Sequence, residues 1–293
     1  MAHRRSEARD IAHDPWLRLR LTALGITRRQ YIERLIAEDL RQPVLIWQMG
    51  KVGSRTLVDA IERAGNYAVF HIHHTNRNTI ASVRAQYDRA GEPYPTDLRV
   101  SMQVLKMIDV LREAPDRTVR IVSAVRDPLA RNVSAFFQNL KFFAGEGTHD
   151  PATDAERLTE IFLREYQQTI PLGWFDREVA GTLGIDIYSK SFDRERARLQ
   201  ISDGAFDLLI LRAEDDDEVK EDALNDFFAR EVPLKLVRTN IGSNKRYANL
   251  YEGFLERLVV PEDLLDTIYE SRLVRHFYTD EERTRMREQW RTD

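Results

Sequence analysis

The stretch Val44-Leu45-Ile46-Trp47-Gln48-Met49-Gly50-Lys51-Val52-Gly53-Ser54-Arg55-Thr56-Leu57 constrains the fold more than any other part of the chain. Its four leading apolar residues read as a short buried strand. A turn with two glycines follows, and Leu57, Val58, Ala60, Ile61 and Ala64 then recur at helical spacing. Gly65 stands where a left-handed residue closes a helix. A strand, a glycine turn and a helix start make a candidate phosphate cradle. Free backbone N–H groups and the positive end of the helix dipole converge there, and Lys51 adds a full charge. The order differs from a Walker A loop, because Lys51 precedes Gly53 and the hydroxyls of Ser54 and Thr56 come after it. A solvated turn between strand and helix is the plain alternative.

The rest of the chain extends this unit into a layered α/β fold. Tyr67 to His74 reads as a second strand ending in histidines, and helices are expected over 78–89 and 98–112. Thr118 to Val125 reads as a third strand, with Asp127 as N-cap and Pro128 at the first position of the next helix. Alternating strands and helices predict a parallel sheet with helices on both faces, whose ligands bind at the carboxyl ends of the strands. Lys51–Thr56, His71–His74 and Arg126–Ser134 all fall at such ends. Asp207 to Arg212 is a fourth strand, and the tail from Tyr247 reads as helices. Residues 1–42 are read as an arm and a helix packed on the core, with one domain over 43–293. Residues 145–151 read as a polar lid loop, 155–168 and 174–178 as helical, and the acidic run Glu214–Glu218 as a helix start favoured by the dipole.

Composition narrows the function classes. The 293 residues contain no cysteine, which excludes a disulfide framework, a thiolate metal site and a cysteine nucleophile. The formal net charge of −4 argues against a nucleic-acid partner. No apolar run is long enough to span a membrane, and the polar start lacks a signal-peptide core, so the expectation is a cytoplasmic protein.

Arg126 closes the third strand, and Ser134 lies two turns into the following helix, so both can address one anion. His71 and His73 alternate along a strand and share a face. His-x-His is also a possible zinc pattern, but no third ligand lies nearby, and no metal is expected. Arg238 to Arg246 is a basic, glycine-containing loop that either closes over a ligand or is an exposed turn.

Lys51-Val52-Gly53-Ser54-Arg55-Thr56 resembles the 5′-phosphosulfate loop of sulfotransferases that use 3′-phosphoadenosine 5′-phosphosulfate (PAPS), and Arg126 with Ser134 resembles their 3′-phosphate motif. The chain is further similar to bacterial capsular polysaccharide synthesis proteins of sulfotransferase type. That resemblance rests on Gln48–Ser54, His71-Ile72-His73, Trp174-Phe175-Asp176-Arg177-Glu178 and Asn244-Lys245-Arg246-Tyr247. It runs from Pro43 to the C-terminus, with Arg55, Arg246 and Ala248 departing from the family pattern. The resemblance implies a P-loop-type, sulfotransferase-like fold and sulfuryl transfer from PAPS, without metal, to a hydroxyl acceptor such as a glycan. Lys51 would hold the leaving oxygens, Ser54 and Thr56 the 5′-phosphate, and Arg126 and Ser134 the 3′-phosphate. Val52, Gly53 and Arg55 complete the loop, Asn244, Lys245 and Arg246 would cover the nucleotide, and His73 would be the general base, with His71 orienting either His73 or the acceptor. A P-loop kinase or NTPase, and a non-catalytic nucleotide-binding protein of capsule synthesis, are the alternatives.

Overall fold

The computed structural model describes residues 42–65, 67–112, 118–140, 143, 151–229, 233–237 and 248–291. The expected N-terminal helix, most of the lid loop and the Asn244-Lys245-Arg246 segment lie outside the described residues.

The first strand, β1 (Gln42–Trp47), leads through the glycine turn into α1 (Ser54–Arg63), as the local signals require. Gly65 takes φ +82°, the left-handed conformation that ends such a helix without a Cβ penalty. Next come β2 (Tyr67–Ile72), α2 (Arg77–Ala90), α3 (Thr96–Arg112), β3 (Val119–Val125) and α4 (Pro128–Gln138). Asp127 caps α4 through Leu129 N–H and Pro128 opens it, as read from the sequence. After α5 (Pro151–Arg164) come short 3₁₀ and π turns, then β4 (Leu199–Asp203), β5 (Phe206–Arg212) and α6 (Asp217–Phe228). Four helices finish the chain: α7 (Ala248–Arg257), α8 (Glu262–Tyr269), α9 (Arg272–Phe277) and α10 (Asp280–Glu288).

The sheet order is β2-β1-β3-β5-β4. All neighbours are parallel except β4, which pairs antiparallel with β5 at the edge. The expected parallel sheet is therefore correct for four strands, and the fifth closes as a hairpin through Gly204. Strand alternation divides the core between two faces. Val44, Ile46, Val122, Leu209 and Leu211 pack under α1 and α6, while Leu45, Trp47, Ile121, Leu208 and Ile210 face the other layer. In that second layer, Phe136, Phe137, Phe162 and Phe254 stack around one another and join α4, α5 and α7.

From β1 the chain crosses to β2 on one side, and from β3 it moves to β5 on the other. The β1–β3 boundary is thus the switch point of the sheet, where a crevice opens at the carboxyl ends.

Candidate functional site

The loop between β1 and α1, at the switch point, is shaped by unusual backbone. Lys51 takes φ +75° and Gly53 φ +84°. A non-glycine residue in this region is uncommon, and such outliers gather at ligand sites. Gly53 then leads into Ser54, the first residue of α1, whose first turn carries no acidic residue to neutralise the dipole.

Two arginines hold the loop by its carbonyls. Arg126 Nη1 donates to the Lys51 carbonyl at 2.9 Å, and Arg131 Nε donates to the Gly50 carbonyl at 3.1 Å. With these acceptors engaged, the loop N–H groups are what it can offer an anion. The structure therefore joins Arg126 to Lys51 directly. Ser134 lies half-buried two turns into α4. The Val52 side chain packs in the core, so only its backbone can serve a ligand, while Arg55 is exposed and Ser54 and Thr56 are half-buried. A cavity of about 330 Å³ adjoins the loop, with Val52, Gly53 and Thr56 on one wall and Ala213, Asp217 and Lys220 opposite. A Lys at the loop, two hydroxyls and a helix start beside a cavity of this size are groups that can bind an anion.

The histidines lie beside this crevice. β2 ends at Ile72, so His73 and His74 sit beyond the strand rather than within it. The backbone ladder to β1 stops at Gln48 N–H to Ile72 O, and the ring takes over: His73 Nδ1 lies 2.8 Å from the Gln48 carbonyl. A carbonyl only accepts, so Nδ1 carries the proton, and in the neutral ring Nε2 is the basic nitrogen. The rings of His71 and His73 meet edge to face, 4.8 Å apart.

Residues 174–178, expected to be helical, lead from a 3₁₀ turn over Ile170–Gly173 into a π turn over Asp176–Ala180. That geometry aims it back at the histidine loop. Trp174 Nε1 donates to the His73 carbonyl at 3.3 Å. Buried Glu178 accepts the N–H groups of Thr75 and Asn76 at 2.7 and 2.8 Å, and its other oxygen lies 3.5 Å from His74 Nδ1. Burial alone would raise the Glu178 pKa, but His74 and the two N–H groups hold it below the usual carboxylate value.

Residues 148–279 match a family model described as "Putative capsular polysaccharide synthesis protein". The match supports that family for this part of the chain. It takes in Trp174 and Glu178 but not the Lys51 loop, His73 or Arg126. No curated protein and no solved structure matches the chain.

Three residues serve this site to which the sequence alone assigned no role. Arg131 holds the loop. Glu178 clamps the histidine loop. Gln48 is fully buried at the end of β1, and its carboxamide meets no hydrogen-bond partner among the described residues. A buried carboxamide without a partner is costly to a fold. Its position between Trp47 and Met49, polar in an apolar run, was the available signal. Among the described residues no three His, Asp or Glu side chains are grouped to hold a metal ion.

The acidic run needs correction. Dipole complementarity covers Asp217 and Glu218 in the first turn of α6. Asp215 instead pairs with Arg212 at 2.9 Å, and Glu214 accepts the Asp127 N–H and the Tyr278 hydroxyl, each at 2.8 Å. Glu214 is thus a tertiary anchor and Asp215 half of a local ion pair, neither placed there by the helix dipole.

Proposed function

We propose that this chain is a sulfotransferase that moves a sulfuryl group from PAPS to a hydroxyl of a saccharide in capsule synthesis. The observation that carries the reading is the hydrogen bond from Arg126 to the Lys51 carbonyl, which brings the two anion-binding segments to one crevice. A nucleotide with phosphates at both 5′ and 3′ positions suits two such segments better than a single phosphate chain does. When bound, PAPS supplies the activated sulfuryl group.

The chain's own residues then do three things. Lys51 and the N–H groups at the start of α1 stabilise charge on the phosphate side of the reacting centre. Arg126 fixes the loop and offers its remaining N–H donors to the 3′-phosphate. His73 Nε2, the basic nitrogen of the neutral ring, takes the proton of the acceptor hydroxyl. The match to a capsular polysaccharide synthesis family over 148–279 supports a saccharide as the acceptor.

Calorimetry with adenosine 3′,5′-bisphosphate tests the donor assignment. Micromolar binding is expected, about −8 kcal/mol, with ATP weaker and magnesium without benefit. Tighter binding of ATP with magnesium would replace this reading by a P-loop kinase.

A further inference from the structure

A second cavity, about 340 Å³, opens beyond the end of β2, between the starts of α2 and the Gly181–Leu183 turn on one side and α3 on the other. Thr75, two residues after His73, forms part of its wall. Its size is at the lower end of small-molecule sites, roughly 300–1,000 Å³, and suits a sugar unit. Leu105 is its one large apolar side chain. The remaining lining is amide, hydroxyl, carboxylate and guanidinium, from Asn76, Asn78, Thr182, Asp109, Arg77 and Arg112. Such a surface recognises a ligand that is polar all round.

The charges add a second requirement. Two guanidinium groups face the cavity against one carboxylate. Arg112 is held in the wall by donating to the Thr182 carbonyl. Arg77 reaches across to Asp109 at 3.3 Å, in a pair that is 73% and 47% exposed. An exposed pair of this kind contributes little, so a ligand carboxylate can take the place of Asp109 at small cost. Arginine forks bind carboxylates in the bidentate manner that lysine cannot.

We propose that this cavity is the acceptor subsite and that it binds an acidic saccharide, with the sugar carboxylate on Arg77 and Arg112 and a hydroxyl on the Asn78 amide, while Asn76, Thr75 and Thr182 are held by bonds within the wall. The inference rests on the sulfotransferase reading for the word acceptor, and on the cavity alone for the ligand class. Placement of Thr75 next to the histidine loop would bring a neighbouring sugar hydroxyl toward His73.

The test titrates the full chain with a tetrasaccharide of alternating glucuronate and N-acetylglucosamine, and with neutral chitotetraose. Saturation-transfer NMR and calorimetry are the readouts. The acidic oligosaccharide should bind at least about tenfold more tightly than the neutral one, and Arg77→Gln and Arg112→Gln should each remove most of that preference. Arg77 is largely exposed, so its variant keeps the fold if the Arg112 variant does not. Affinity for adenosine 3′,5′-bisphosphate should stay unchanged in both. Equal binding of the neutral oligosaccharide, no acidic binding at millimolar concentration, or acidic binding untouched by both substitutions would overturn the proposal. So would loss of bisphosphate affinity in step, which would assign the cavity to the nucleotide. If the unmodified chain binds the acidic oligosaccharide through these arginines but not the bisphosphate, the subsite stands and the donor assignment falls.

Discussion

The Tyr269 hydroxyl donates to Asp127 Oδ1 at 3.0 Å, across 142 residues of sequence. Gln289 Nε2 and Trp290 Nε1 reach the other oxygen at 2.8 and 3.3 Å. The C-terminal helices are thereby fastened to the residue that follows Arg126, so a contact that looks like packing also sets the position of a candidate ligand-binding arginine.

That anchor has a pH signature. Burial pushes the Asp127 carboxyl up to about 6, against the opposing hydrogen bonds from Tyr269, Leu129 and Trp290. The folded state then binds the proton more tightly than the unfolded chain does. Between about pH 4 and 6 this group's contribution to stability falls as pH rises, by roughly 3 kcal/mol in all. Asp127→Asn should flatten that part of the pH–stability curve in denaturant titrations. An unchanged slope would show that Asp127 is not the titrating group.

Glu178 behaves in the opposite sense. Its pKa is depressed, so its contribution is present at neutral pH and is lost on acidification below the usual carboxylate range. Glu178→Ala leaves the Thr75 and Asn76 N–H groups without their acceptor, at about 1–3 kcal/mol for the buried Thr75 N–H and less for the half-buried Asn76 N–H. A lowered denaturation midpoint is expected, together with reduced turnover, because the loop it clamps carries His73. Normal turnover at full folding would detach the π turn from the site.

Arg126 makes a shared and a private contribution. Its bond to the Lys51 carbonyl shapes the loop for any ligand, whereas contact with a 3′-phosphate serves the bisphosphate alone. Arg126→Ala should therefore weaken adenosine 3′,5′-bisphosphate by about 2–4 kcal/mol and adenosine 5′-phosphosulfate by less. Equal losses in calorimetry would leave Arg126 with only its loop-holding part.

His73→Ala should lower turnover about 10²- to 10⁴-fold, with bisphosphate affinity held within about a factor of two. Should affinity fall together with rate, the ring's bond to the Gln48 carbonyl is a packing contact and not the orienter of a base.

The elements that the sequence predicted well are those with local causes. The β1 strand, the glycine turn and α1 follow from an apolar run, two positions of positive φ and a 3.6-residue period within one short stretch. Asp127-Pro128 marks the start of α4 for equally local reasons. β4 escaped notice because, as an edge strand, it buries only Leu199 and Ile201, too few residues to leave a period. β2 was read two residues too long because its final histidines continue the β-favouring pattern while the chain already turns away to meet Glu178.

The sequence by itself determined the order of the parallel strands and their helices, though not the edge strand β4, and the three segments that arrive at the carboxyl edge, since periodicity, caps and glycine conformations act over a few residues. Only the tertiary structure decided which side chains do the holding. Arg131 reaches Gly50 across 81 positions, Glu178 reaches Thr75 across 103, and Trp290 reaches Asp127 across 163. Such contacts depend on how helices settle on the sheet, and a donor and acceptor that distant leave no spacing in the sequence to read.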